Sequence, residues 1–359
     1  MIVNNRLLRL AREARGWTQK RLAEGSGIAQ GSVSKYEKGL QTPSPPQLES
    51  IAHALDYPID FFLQTEARPT TVLYRTRVLR SAKLEGQVRA RLNLARLVLG
   101  RLLDDLNVEA VSHFPEPDHS YDNPQQAAAS LRTAWGIVPG PVDSVSELIE
   151  YAGGVVARVD LGTDQAIAAY LHPLGDPIRW FFVNSRVRAG DRIRFSLAHE
   201  LGHAVLHETA LIPDSREAER HANQFAGAFL MPAADLLAEL PRRRLALEDL
   251  LVLKRLFGVS MQAIAMTAHS AGAISQDELT RLYRELSYRG WRTAEPGHVE
   301  LEQPTVVRDA IAVHREHHGY STEQLAQVAH VFPAMLADLL PDYFKPPGGM
   351  HLRVVSRRS

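Results

Sequence analysis

The segment FSLAHELGHAVLHE, residues 195–208, carries a glutamate between two histidines that stand four positions apart. On a helix, residues four apart lie one above the other, so His199 and His203 can present both imidazoles to one metal ion. Glu200 is rotated around the helix axis and is better placed to reach a water on that ion, whose proton it can accept and pass to a leaving amine. The spacing predicts a metal site with Glu200 as general base. The alternative is an ordinary helix with structural histidines.

A second segment, SREAERHANQFAGAFLMP over residues 215–232, supplies candidates for a third ligand. Its pattern predicts a helix that ends at the proline. Glu219 and Asn223 are four apart, so Glu219 can complete a His-His-Glu set while Asn223 braces a ligand imidazole from outside. Glu217 is the rival, and Glu219 is preferred because its partner at i+4 is polar and uncharged. A surface helix with ordinary acids remains the alternative.

The chain contains no cysteine, so a metal must bind His, Asp, Glu or backbone oxygen. We expect Zn²⁺, with Mn²⁺ as the alternative. His207 follows His203 by one helical turn and is interpreted as a structural histidine at the helix end, although substrate binding or a place in the metal's outer shell stays open.

The two segments together resemble the ImmA/IrrE family of metallopeptidases, which pairs a His-Glu-x-x-His helix with a Glu-x-x-Ala-Asn-x-Phe-Ala helix ending in Leu-Met-Pro. The match spans roughly residues 120–232, and LKRLFGVSMQAIAMTAHSAGAIS and ELSYRGWRTAEPG resemble the helical extension of longer members. Phe229 and His221 depart from the family pattern, where leucine and an acid are common. The resemblance implies a gluzincin-like zinc endopeptidase with these residues in the site: His199, His203 and Glu219 as metal ligands and Glu200 as general base.

The segment WTQKRLAEGSGIAQGSVSKYEKG, residues 17–39, predicts two short helices over 19–24 and 30–38 that are joined by a glycine turn. Residues 6–62 resemble the Xre-type helix-turn-helix of lambda-like phage repressors, a five-helix unit. The resemblance implies the following DNA contacts: Gln30, Ser32, Ser34 and Lys35 in the major groove, with Gln19 and neighbouring cations on phosphates.

Charge is distributed unevenly along the chain. The whole sequence has 41 basic and 41 acidic residues, which excludes a protein that coats nucleic acid uniformly. Residues 1–40, however, carry eight Lys or Arg against three Glu, a balance of +5 that suits a phosphate-binding face. We expect double-stranded DNA as a partner, bound by a homodimer because one such domain buries little surface. The alternative is a helical module that binds protein.

The remaining segments predict a mainly α-helical, multidomain protein. Three short strands, at 155–161, 166–171 and 178–184, follow two helices and precede the His-Glu-x-x-His helix, which indicates a central α+β, zincin-like domain with a small sheet. Residues 71–103 form a basic helical pattern interpreted as a solvated face, and 114–126 are interpreted as a linker. The predicted division is 1–65 helix-turn-helix, 66–118 basic connector and linker, 119–232 peptidase, 233–300 helical extension and 301–359 C-terminal helical module.

The N-terminus lacks the apolar core of a signal peptide, and no apolar run reaches the roughly 18 residues of a membrane span. The expectation is therefore a cytoplasmic protein without a membrane partner. We predict a DNA-binding transcriptional regulator whose zinc-dependent endopeptidase domain cleaves a protein substrate, a repressor or other regulatory protein. The alternative is a regulator of stress, mobile-element, toxin-antitoxin or phage-defence functions whose peptidase-like domain only senses a signal or metal.

Overall fold

The computed structural model describes residues 2–65, 81–106, 112–115, 123–172, 176–207, 215–292 and 294–344. Helices dominate these residues, as the sequence predicts. The helices are α1 (Asn5–Ala14), α2 (Gln19–Ser26), α3 (Gln30–Glu37), α4 (Pro45–Leu55), α5 (Ala82–Asp104), α6 (Pro124–Ala134), α7 (Val145–Tyr151), α8 (Gly190–Leu206), α9 (Ser215–Leu230), α10 (Ala233–Glu239), α11 (Leu247–Phe257), α12 (Met261–Ser270), α13 (Gln276–Tyr288), α14 (Val306–Glu316), α15 (Thr322–Val328), α16 (Pro333–Leu339) and α17 (Pro341–Phe344). The strands are β1 (Gly154–Val159), β2 (Ala168–Leu171) and β3 (Arg179–Asn184).

The N-terminal unit has the predicted five helices, of which the fifth is a 3₁₀ helix over Ile59–Leu63. The Thr18 side chain caps α2 by accepting a hydrogen bond from the Arg21 N–H. The predicted end of this helix at residue 24 is wrong, since α2 continues to Ser26 and the turn forms at Gly27, with φ of 67°. Gly27 is the residue that takes the left-handed conformation, which glycine adopts without a steric penalty.

The sheet has the strand order β1-β3-β2, with β3 parallel to β1 and antiparallel to β2. All three strands are nearly continuous runs of buried residues because both sheet faces are covered. Ala157 and Phe182 face one apolar core, whereas Val156, Phe181 and Val183 face another. The sheet therefore separates two cores.

The first core joins parts of the chain that are far apart in sequence. It contains the N-terminal helices, α5, one sheet face and the C-terminal helices α14 to α16. The second core contains α6 to α13 with the other sheet face. Helix α5 lies at the centre of the first core, with buried side chains such as Leu92, Val98 and Leu102. The sequential division into five domains stays a prediction.

The interpretation of the basic helix as a solvated face is wrong for part of α5. Arg91 Nη2 lies 3.0 Å from Asp338 Oδ2, and Arg96 Nη1 lies 3.1 Å from Asp176 Oδ2. These arginines attach α5 to the C-terminal module and to the residues before β3. Lys83 and Arg89 are exposed, as expected, and residues 71–80 lie outside the described residues.

The predicted linker over 114–126 ends earlier than expected. Helix α6 begins at Pro124, and the Asn123 side chain accepts hydrogen bonds from the Gln125 and Gln126 N–H groups. Proline suits the first helical position because no intrahelical partner is needed for a donor there. Residues 116–122 of this segment lie outside the described residues.

No single helix in the described ranges has both the length and the apolar character to cross a membrane. Helices α11 and α12 meet those criteria only as a pair, with a 99° bend between them.

Candidate metal centre

Close packing of α8 against α9 brings the predicted ligands together. Gly202 allows this approach, because a Cβ at this position would lie 3.0 Å from the Phe225 ring. On α9, Ala218 and Ala222 are fully buried, so small side chains fill the interface. Glu219, between these alanines, thereby lies beside the α8 histidines.

Three donor atoms converge between the helices. His199 Nε2 and His203 Nε2 are 3.1 Å apart, and they lie 3.3 Å and 3.4 Å from the two carboxylate oxygens of Glu219. Two ligands bound at 2.0–2.1 Å in a tetrahedral zinc site are separated by about 3.3 Å. The donor set and its spacing therefore fit a zinc ion with three protein ligands and one open position, as in catalytic sites.

Asn223 fixes the orientation of the first imidazole. Its Nδ2 donates to the Glu219 carbonyl oxygen at 2.8 Å, which leaves Oδ1 to accept from His199 Nδ1 at 3.1 Å. Since Nδ1 then carries the proton, Nε2 has a lone pair for the metal. This contact is the one that the predicted bracing role requires, and the role itself stays a prediction.

His207 is buried, and its Nδ1 lies 3.0 Å from His203 Nδ1. When His203 Nε2 binds a metal, its Nδ1 carries the proton and donates to His207. His207 is also the C-terminal cap residue of α8. It is thus a helix-end histidine, as preferred from the sequence, and its contact with His203 leaves the outer-shell role open.

Glu217 does not reach the cluster. Its side chain is half exposed, and it pairs with Arg220 at 3.2 Å and His221 at 3.7 Å. The rival ligand is therefore directed along the surface of α9.

The pKa values of Glu200, Glu219 and His199 are shifted from their ordinary values. Burial raises the pKa of Glu200 to about 7, against the opposing effect of His199 and a hydrogen bond from the Tyr170 backbone. Burial by itself raises the pKa of Glu219, but hydrogen bonds from His199 and His203 outweigh it and lower the value to about 2. Burial by itself lowers the pKa of His199, but the hydrogen bond to Glu219 and the nearby carboxylates outweigh burial, so the pKa of His199 is raised. A carboxyl with a pKa near neutrality suits a general base.

The centre opens into a cleft of about 830 Å³ lined by His199, Glu200 and Glu219. One wall contains a buried ion-pair group that the sequence did not indicate, in which Lys254 Nζ lies 2.7 Å from Asp191 Oδ2 and 3.0 Å from Glu295 Oε2. These residues are too widely spaced in sequence for any local pattern to connect them. The group attaches the residue 294–300 segment beside the cleft.

An apolar cavity of about 820 Å³ adjoins this cleft and shares Glu219 and Phe195 with it. Its walls include Met231, Met266 and Ala271. Glu219 therefore contributes to the walls of both cavities.

The predicted DNA-contacting residues lie on and near α3. Gln30 and Lys35 are exposed, whereas Ser32 and Ser34 are half-buried. Gln19 Nε2 donates to Glu37 Oε2 at 2.8 Å, and Gln30 Nε2 lies 3.5 Å from Gln19 Oε1, which places the first residues of α2 and α3 side by side. Their DNA contacts stay a prediction.

Comparison with known families agrees with both halves of this description. Residues 8–62 match a helix-turn-helix family, and residues 150–269 match the IrrE N-terminal-like domain of a metallopeptidase family. The chain therefore contains a helix-turn-helix region and, further along, a region similar to the IrrE N-terminal-like domain of metallopeptidases.

Two curated relatives are similar to part of this chain. They are uncharacterized HTH-type transcriptional regulators from Sinorhizobium medicae (strain WSM419) and Rhizobium meliloti (strain 1021), each 35% identical over 57 residues. The match covers 16% of this chain and 41% of each relative, so it says nothing of the rest of either protein.

Proposed function

We propose that the IrrE-like domain is a zinc-dependent endopeptidase that cleaves a repressor or other regulatory protein, and that the helix-turn-helix directs it to DNA. The observation that carries this proposal is the convergence of His199, His203 and Glu219 in a cleft that the buried Glu200 also lines. A structural metal site has no need of a buried carboxyl beside its ligands.

The chemistry follows from the residues around the cleft. Zinc, when bound, supplies Lewis-acid activation of water and of a peptide carbonyl. Glu200, with a pKa of about 7, can accept a proton from the attacking water and return it to the leaving amine at neutral pH. Glu219 stays ionised, and Asn223 holds the tautomer of His199.

Glu200→Gln tests the enzymatic half. The amide keeps the size of the side chain and removes the base, so a cut made by this protein should disappear while metal binding stays intact. We expect new protein N-termini in cells that express the wild type and none of these in cells that express the variant, with and without DNA damage or oxidative stress. Identical N-termini in the two strains under every condition would contradict peptidase activity.

The DNA-binding half is tested by Gln30→Ala combined with Lys35→Ala. Each lost contact to a base should cost about 1–3 kcal/mol, so we expect genomic occupancy to fall by tenfold or more. Arg255→Ala is the control, because it removes an exposed cation from α11, outside the helix-turn-helix unit. Equal occupancy for the double variant and the wild type would count against these contacts.

The sheet supports a second candidate function, that of a regulator in which the peptidase-like domain senses a metal or signal. One sheet face belongs to the core of the metal centre and the other to the core of the helix-turn-helix unit. Regulation that persists in the Glu200→Gln variant and disappears in a His203→Ala variant would favour the sensor, whereas loss in both would favour the peptidase.

A further inference from the structure

A second cluster of metal-binding side chains lies where α5 meets α14, outside the cleft. It consists of Asp105, His314 and His318, whose donor atoms all lie within 4.8 Å of one another. His314 Nδ1 and Asp105 Oδ2 are 3.6 Å apart. Asp105 is separated from the two histidines by about two hundred residues of sequence, so the fold brings this group together.

His314 has a fixed orientation and tautomer. Its side chain is fully buried, and Nε2 lies 2.9 Å from the carbonyl oxygen of Leu102. A carbonyl only accepts, so Nε2 carries the proton. Leu102 is in the last turn of α5, where carbonyl groups lack intrahelical partners. The other ring nitrogen, Nδ1, therefore faces Asp105 and His318.

The buried Nδ1 atom of His314 has no hydrogen-bond partner. A buried polar atom without a partner costs about 1–3 kcal/mol. The acidic oxygen that faces it, Asp105 Oδ2, is 3.6 Å away, whereas charge-assisted N–H···O bonds are about 2.7–2.9 Å long. The distance between His314 Nδ1 and Asp105 Oδ2 is thus too long for a good direct hydrogen bond, and it leaves room for an ion that contacts both atoms.

The end of α14 positions the second histidine. Gly319 has φ of 68°, and this left-handed turn lets the Tyr320 N–H donate to the His314 carbonyl oxygen at 3.0 Å. The Tyr320 ring stacks on His314 at an interplanar angle of 15° and contacts the edge of His318. Tyr320 thus packs against the imidazoles of both histidines in the cluster.

We propose that Asp105, His314 and His318 form a second site for a divalent transition-metal ion, independent of the cleft. Two imidazoles and one carboxylate suit Zn²⁺ and related ions. Leu102 supplies the carbonyl that a metal-binding imidazole commonly contacts through its other nitrogen. Asp105 and His318 are at the surface, so water reaches the remaining coordination position.

Such an ion would strengthen a junction between three parts of the fold. Arg101, one turn before Asp105, donates to the Ala329 carbonyl at 2.7 Å, and its guanidinium lies 5.7 Å from the centre of the Phe61 ring. Phe61 belongs to the N-terminal unit and Ala329 to the C-terminal module. Metal binding at Asp105 would therefore fix the end of α5 at the place where this helix contacts the N-terminal unit and the C-terminal module. The bound metal should raise the melting temperature of the chain.

The test is a metal titration of the full chain with Zn²⁺, repeated with Co²⁺ as a spectroscopic probe. His318→Ala and Asp105→Asn change exposed side chains and should each remove one metal equivalent, or weaken it by at least about tenfold. His317→Ala is the matched control, because this exposed neighbour lies outside the cluster. All titrations are repeated in a His199→Ala, His203→Ala background.

The proposal requires the same single equivalent to be lost in both backgrounds, so its outcome does not depend on the ligands predicted for the cleft. Zn²⁺ should also raise the melting temperature of the His317→Ala protein more than that of the His318→Ala protein. Unchanged stoichiometry and affinity in His318→Ala and Asp105→Asn would overturn the second site, and so would equal losses in His317→Ala.

Discussion

Glu219→Gln is expected to remove one equivalent of zinc from the protein. The substitution retains shape but replaces a carboxylate that lies 3.3 Å and 3.4 Å from the two imidazole donors by a neutral amide, a poor zinc ligand. Outer-shell changes typically weaken metal binding by about 10–100-fold, so loss of a direct ligand should exceed that range. Competitive titration against a chelator measures the affinity.

Glu217→Gln is the matched control for this prediction, since it makes the same chemical change two residues earlier on α9. Its carboxylate pairs with Arg220 and His221 instead of the α8 histidines. We expect wild-type zinc affinity. If Glu217→Gln rather than Glu219→Gln lost the metal, the assignment of ligands on α9 would be wrong.

Arg12→Met is expected to destabilise the N-terminal unit by about 3–5 kcal/mol, the typical cost of leaving one buried charge without its partner. Arg12 Nε and Nη2 donate to the two oxygens of Glu37 at 2.5 Å and 2.9 Å, and the Glu37 side chain is 4% exposed. Arg12 Nη1 also donates to the Trp17 carbonyl at 2.7 Å, a bond that is lost as well. Urea denaturation of the full chain measures the change in unfolding free energy.

Two companion variants separate the causes. Replacing both Arg12 and Glu37 by apolar residues should recover most of the loss, because no charge is then buried alone. Arg9→Met removes an arginine whose side chain is 58% exposed and whose partner is Glu13, so we expect a change below about 1 kcal/mol. A loss in Arg9→Met as large as that in Arg12→Met would point to a general effect of α1 charge instead of the buried pair.

Local sequence patterns predicted the parts of this protein whose determinants lie within one or two helical turns. The two histidines four residues apart indicated the face of α8 that carries candidate metal ligands. Glu219 and Asn223 indicated the corresponding face of α9. The three strands were recognisable because continuous apolar runs separated by Gly, Asp and Pro are typical of buried strands. The residue-by-residue roles at the metal centre and on α3 nevertheless stay predictions.

Features that depend on distant parts of the chain were not predictable in this way. Arg91 and Arg96 read as solvated cations because their partners, Asp338 and Asp176, are 247 and 80 residues away. The ion pairs of Lys254 in the cleft wall depend in the same way on the path of the residue 294–300 segment. The cluster of Asp105 with His314 and His318 likewise exists only because the C-terminal module folds back onto α5.

The sheet shared by two cores has a practical consequence for any fragment of this protein. A fragment that begins at residue 119 retains the candidate metal centre and the C-terminal helices but loses the N-terminal helices and α5, which share one core with the sheet face bearing Ala157, Trp180 and Phe182. These side chains are almost fully buried in the intact chain. Exposed together they would form an apolar patch of the kind that causes aggregation. We therefore expect a fragment released by proteolysis between the two halves to aggregate more readily than the intact chain.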